Sequence, residues 1–177
     1  MDLSKLFYIV GDELRDINRP HNVTYVEIPD TVRVISPLVF RCDNTIETII
    51  IPSSVEEIGL GAFYSCTALK RVFIPCSVKV MAERVFQDCN PELEIFLEGE
   101  PQEGWFVGDK EKKIIEDRII TDENDAFNFH RSSGGWSYTT VEKEVEVNHH
   151  WNSDNAKVHC NVSKDDFLMI LNKEKDI

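Results

Sequence analysis

The sequence predicts a β-rich solenoid, a short stack of coils about 23 residues long, on three observations. Isoleucine-proline corners recur at Ile28-Pro29, Ile51-Pro52 and Ile74-Pro75, with 23 residues from each to the next. The same step carries Val32 to Val55 to Val78, and Phe40 to Phe63 to Phe86. It also carries a β-rich run, from Val26-Glu27-Ile28 through Ile49-Ile50-Ile51 and Val72-Phe73-Ile74 to Ile95-Phe96-Leu97. A fixed period of this size marks one supersecondary unit per repeat, and the units stack because none buries its apolar face alone.

Residues 1–24 are expected to cover the open end of the first coil. Phe7, Ile9 and Val10 pattern as a strand, and Gly11-Asp12-Glu13 as a turn. A helix over Leu3 to Val10 is the competing assignment, and Leu14, Ile17 and Val23 supply apolar anchors. Residues 25–97 then repeat one plan. Proline ends each of the first three runs, because it cannot donate to a sheet ladder. A second extended piece follows, such as Ser54-Val55-Glu56-Glu57-Ile58, and then a small turn or single helical turn at Ala62-Phe63 or Val85-Phe86. Cys66 and Cys89 share one tight corner, where a small, weakly polar side chain suits packing on the equivalent site one coil away.

After Leu97 the period stops, and residues 98–177 read as a β-rich capping region. The acidic, turn-rich stretch from Glu98 to Gly104 marks the boundary. Between Lys112 and Thr121 the isoleucines 114, 115, 119 and 120 fit a hairpin turning at Glu116-Asp117 better than a short helix, since isoleucine is β-branched. Val141, Val145 and Val147 alternate with Glu142, Glu144 and Glu146, and Val158, Cys160 and Val162 alternate likewise, so both runs are expected as strands, with pairing between them one arrangement open to them. Ser163 is expected to cap a last helix, with Asp166 three residues on and Phe167, Ile170 and Leu171 on one face.

Composition limits the functional classes. At 42% hydrophobic and 29% charged residues, the chain can build a core. Its formal net charge is −13, shared between both halves, and no basic groove is present. Nucleic acid and anionic membrane surfaces are therefore excluded as favoured partners. No run approaches the roughly 18–20 apolar residues that span a bilayer, and the run from Leu3 to Val10 is short and interrupted for a signal peptide. Five cysteines, an odd number placed partly by the repeat, read as thiols rather than a disulfide frame.

Residues 51–69 carry a specific resemblance. They read Ile51-Pro52-Ser53-Ser54-Val55-Glu56-Glu57-Ile58-Gly59-Leu60-Gly61-Ala62-Phe63-Tyr64-Ser65-Cys66-Thr67-Ala68-Leu69. The stretch resembles the BspA-like, or Treponema-pallidum-type, leucine-rich repeat family, whose signature sets isoleucine-proline, serine-valine, isoleucine-glycine, alanine-phenylalanine, cysteine and leucine at these spacings. The third repeat keeps Ile74-Pro75, Ser77-Val78, Phe86 and Cys89, with Ala82 for the glycine, Val85 for the alanine and Leu93 one place late. The first has Ser36 and Val39 at those positions, and Asp43 at the cysteine position with Cys42 one place early. The resemblance implies a short right-handed superhelix of three or four coils, a β-rich α/β solenoid capped at both ends. It also implies a non-enzymatic interaction protein, since family members are mostly known or presumed cell-surface and secreted proteins used in adhesion.

The candidate binding site follows from strand alternation. If the flanking residues point inward, Glu27, Ile50, Phe73 and Phe96 form an outward column, edged by Thr48, Arg71 and Glu94. Three neighbouring apolar side chains on such a face either meet a protein partner or lie beneath a folded-back tail. Phe73→Asp separates the two, sparing the fold in the first case and damaging it in the second. Other chemistry is thinly supported. His149, His150, His159 and Cys160 match no zinc spacing, Glu142, Glu144 and Glu146 read as a solvated strand face, and Cys76, after Pro75 at a coil edge, is placed for more exposure than Cys66 and Cys89. No catalytic residue, metal site or cofactor is assigned. An intracellular scaffold, or a metal or catalytic unit in the tail, are the rival classes.

Overall fold

The structure is a computed structural model of the chain. It describes residues 6–18, 23–105, 111–120, 138–147, 151 and 156–175, with 111–120 and 138–147 described by their backbone. The chain divides into two compact units, Met1–Gly108 with His149–Ile177, and Asp109–Asn148. The expected segments 1–24, 25–97 and 98–177 follow where the repeat begins and ends; by contact, residues 149–177 group with the repeats.

The first unit is a β-solenoid of about four turns with 23-residue spacing. β1 (Phe7–Val10) and β2 (Glu13–Ile17) form an antiparallel hairpin turning at Gly11, whose φ is +66°. This strand excludes the competing helix, and Leu14, Ile17 and Val23 are buried as anchors. Each coil then supplies a pair of strands: β3 (Tyr25–Glu27) and β4 (Val34–Ile35), β5 (Thr48–Ile50) and β6 (Glu57–Ile58), β7 (Arg71–Ile74) and β8 (Val80–Met81). β9 (Glu94–Leu97) opens the last coil. In the long sheet β3, β5, β7 and β9 are parallel, and Thr48, Arg71 and Glu94 stand side by side. In the short sheet β2, β4, β6 and β8 are parallel, with β1 at the edge. Each long rung ends at the isoleucine before proline: the N–H groups of Ile28 and Ile51 donate to the carbonyls of Ile50 and Phe73 at 3.0 and 3.1 Å.

A third ladder runs through the turns. Leu38, Phe40 and Cys42 donate their N–H groups to the carbonyls of Leu60, Ala62 and Tyr64, and Gly61, Phe63 and Ser65 donate to Glu83, Val85 and Gln87. The turn is not helical. Two left-handed residues bracket it in each coil, at Leu38, Gly61 and Arg84 and again at Cys42, Ser65 and Asp88, all with φ between 57° and 61° except Gly61 at 55°. A non-glycine residue there costs roughly 1–2 kcal/mol, so the stack imposes the geometry against local preference at five of these six sites.

Inside the turns, Phe40, Phe63 and Phe86 stack with ring centroids 4.9 and 5.2 Å apart. Trp151 closes the column: its carbonyl accepts the Phe86 N–H at 3.0 Å and its indole meets the Phe86 ring edge-on. Trp105 packs on Trp151 and donates its indole N–H to the Val78 carbonyl at 3.0 Å. The cysteine corner is a hydrogen-bonding site. Cys66 and Cys89 donate their S–H groups to the carbonyls of Phe40 and Phe63, 3.1 and 3.0 Å away. Asp43, in the equivalent place, is buried and instead accepts from the N–H groups of Thr45 and Ile46 at 2.9 and 2.8 Å, bonding forward along its own chain. Leu93 is fully buried despite its shifted place, as Leu69 is one coil earlier.

The tail departs from expectation at its first strand. β10 (Glu111–Ile120) is one unbroken strand rather than a hairpin turning at Glu116-Asp117, and it pairs antiparallel with β11 (Tyr138–Val147). A two-residue turn needs positive-φ residues such as Asn-Gly, and Glu-Asp supplies neither. Nor does the 141–147 run pair with the 158–162 run. β12 (Lys157–His159) instead joins the unpaired edge of β9 in parallel, satisfying backbone groups that an edge strand leaves open. The expected last helix is present as α1 (Lys164–Lys175).

Gly59 has an ordinary φ, and its need for glycine comes from close approach. A Cβ there would stand 2.6 Å from the Pro37 nitrogen and 2.8 Å from its Cδ. Ala82, one coil on, sits above Leu60 rather than a proline. Gly59→Ala should therefore lower stability by about 1–3 kcal/mol, read as a fall in the thermal midpoint, while Ala82→Gly should cost about 1 kcal/mol or less.

Candidate functional site

The long sheet has two apolar sides. Ile49, Ile51, Val72, Ile74, Ile95 and Leu97 face the solenoid core, each at most 1% exposed. The opposite side carries two rows set by register. Tyr25, Thr48, Arg71, Glu94 and Lys157 form the first, and Glu27, Ile50, Phe73, Phe96 and His159 the second. The sequence-predicted residues are thus neighbours on one face. Tyr25 was legible, one step of 23 before Thr48; Lys157 and His159 were not, because they lie outside the period.

The centre of the second row is not solvent-exposed. Ile50, Phe73 and Phe96 are 0–3% exposed and form a second apolar cluster with Phe167 and Leu171 of α1. Of the two alternatives for this column, a protein partner or a folded-back tail, the tail lies over its apolar centre. The physical cause is the area itself, since three adjacent apolar side chains gain by leaving water. The Phe167 ring lies 5.5 Å from Phe73 and 5.0 Å from Phe96, and the His159 ring stacks on Phe96 at 4.6 Å.

Local chemistry seats α1 there. Asn161, at φ 59°, turns the chain, and the Val162 N–H donates to the Leu97 carbonyl at 2.9 Å. Ser163 caps the helix, accepting the Asp166 N–H at 3.1 Å while its hydroxyl donates to the Asp166 carboxylate at 2.6 Å. Lys164 Nζ reaches Glu27 Oε1 at 2.6 Å, pinning the first turn over the far end of the row. Burying two large apolar side chains gives about 3–6 kcal/mol before the entropy of ordering the helix is subtracted. A helix of 12 residues is marginal alone in water, so α1 depends on this contact.

The first row keeps more access. Tyr25 is 42% exposed, Arg71 and Glu94 are half-buried, Lys157 is exposed and Thr48 is buried. Burial, and then the negative charge of Glu27, push the Tyr25 hydroxyl above its ordinary value. Beside the first turn of α1 a cleft of about 670 Å³ runs along Pro29, Pro52 and Pro75, with Phe73, Glu98 and Lys164 in its walls.

Among the described residues the other candidates do not come together. Cys66 is pushed up by its hydrogen bond with Cys89 and by burial. Cys76 is exposed, as expected, but a hydrogen bond to the Glu98 carboxylate raises its thiol, the opposite of what a nucleophile needs. Among the described residues no three His, Cys, Asp or Glu side chains converge as metal ligands. His159 is taken up by Phe96, with its Nε2 3.6 Å from Glu94 Oε1. His149 and His150 lie outside the described residues, and Glu142, Glu144 and Glu146 lie on β11, whose side chains are not described. Among the described residues no helix is long and apolar enough to cross a membrane.

The fold, with its parallel ladders and one buried phenylalanine per coil, defines a leucine-rich repeat protein. Residues 18–99 match the BspA type leucine rich repeat region in six copies, as the resemblance of residues 51–69 implied. The chain is also similar to the crystal structure of a leucine rich cell surface protein from Faecalibacterium prausnitzii A2-165, at 28% identity and a TM-score of 0.40. That match covers 52% of this chain and 31% of that one, so the chain spans under a third of its length. No curated protein matches the chain.

Two outcomes follow. Phe73→Asp places a carboxylate beneath α1, and release of the helix limits the damage. Hydrogen exchange should show lost protection in α1 with β5, β7 and β9 still protected; collapse of the whole stack would contradict this. Alkylation of native protein at about pH 8, well below the raised thiols, should label Cys42 before Cys76. Cys66 should react only on unfolding.

Proposed function

We propose that this chain is a non-enzymatic protein–protein interaction module that takes a protein partner on the outer face of its long sheet. The supporting observation is the two-row face, rigidly spaced by the coil repeat and built from residues the core does not need. Solenoids offer such surfaces for recognition, and side chains can vary there without altering the fold. In this reading the first row, Tyr25, Arg71, Glu94 and Lys157, meets the partner directly. Ile50, Phe73 and Phe96 are held in reserve beneath α1, with Glu27, which stays exposed and pairs with Lys164, and Thr48 at their margin. The hairpin before the first coil and, from the 98–177 region, the residues that group with the repeats act as caps on a right-handed superhelix. The family resemblance supports a cell-surface, adhesion-type setting.

The test is a partner-binding assay with charge removal in the first row. Arg71→Gln with Lys157→Gln, which removes both charges without setting carboxylates beside Glu94, should leave the thermal midpoint within a few degrees and should weaken a purified partner at least tenfold. Unchanged affinity for every partner found would sink the proposal.

A further inference from the structure

Resting on that reading, the geometry points to the partner's chemistry: the second row takes an amphipathic helix, and α1 is a tethered occupant of that helix site. The seated helix shows what fits. It presents an aromatic anchor, Phe167, and an aliphatic anchor four residues on, Leu171, to Ile50, Phe73 and Phe96. A cation three residues before the first anchor, Lys164, meets Glu27. Residues one turn apart share a helix face, so this is the anchor pattern by which amphipathic helices lie in grooves.

Several features make the occupant removable. The cluster beneath α1 is separate from the solenoid core, so opening it leaves the three ladders intact. The link from β12 is short and turns at Asn161, a left-handed residue. Met169 on the outward side of α1 is 53% exposed, so among the described residues no second layer clamps the helix there. The cleft along Pro29, Pro52 and Pro75 opens beside its first turn and gives an incoming chain a place to begin. The occupant is a foreign helix with an aromatic residue at i, an aliphatic one at i+4 and a lysine or arginine at i−3.

The experiment uses the full chain and a fluorescein-labelled peptide of residues 162–175 as the probe. Wild-type protein should bind it weakly, because its own α1 competes at high effective concentration. Phe167→Ala should release α1, seen as faster amide exchange, and bind the peptide at least tenfold more tightly. A peptide with its own Phe167→Ala should not bind. If α1 is released and the peptide still fails to bind, the inference is wrong, while the first-row test of the preceding section stands untouched. If Phe167→Ala does not fold, Lys164→Glu serves instead: a several-fold gain in peptide affinity supports the site, and no change overturns it. A concentration-dependent dimer with exchanged helices would overturn the foreign partner and make a second copy the occupant.

Discussion

Each phenylalanine of the turn must lie over the phenylalanine of the next coil, and this requirement governs the rest of the structure. The 4.9 and 5.2 Å ring spacings of Phe40, Phe63 and Phe86 match the separation that hydrogen-bonded strands need. One spacing therefore serves the aromatic column and all three backbone ladders. Leu38 and Arg84 accept a left-handed backbone to keep it, although neither is a glycine. Gly59 is needed because the coil before it carries Pro37 at the point of closest approach.

A stack has ends, and much of the non-repeating sequence serves them. At the first end the β1–β2 hairpin supplies a strand in register with β4, and Leu14 fills the core position that Ile35 holds one coil later. At the last, Trp151 takes the Phe86 amide and Trp105 takes the Val78 carbonyl, while β12 adds the last rung beside β9. Exposed ion pairs such as Arg33–Glu56 and Lys70–Glu47 link neighbouring coils. They favour the correct register more than they stabilise the fold, since exposed pairs contribute about 0–1 kcal/mol.

The outer face shows a different use of the same regularity. Core positions are constrained by stacking, but the alternate strand positions are free to vary, and here they form two unlike rows. One is polar and partly open. The other is apolar and covered by α1, whose stability as a helix depends on being there. In the proposed reading this surface has two states, seated and released, since local elements open at less cost than the whole fold. That links a packing detail to the proposed recognition role.

The repeat, the strand runs, the turn positions and the inward-outward alternation were all legible in the sequence, because each depends on neighbours at a constant distance along the chain. The capped helix at Ser163 was legible for a similar reason, since its capping partners are three residues apart. What covers Ile50, Phe73 and Phe96, which strand completes the sheet beside β9, and what closes the phenylalanine column were decided only by the tertiary structure. Those contacts join Phe96 to Phe167, Ile95 to Val158 and Phe86 to Trp151. They obey no period, and apolar area alone does not say whether a partner or the chain's own tail will cover it.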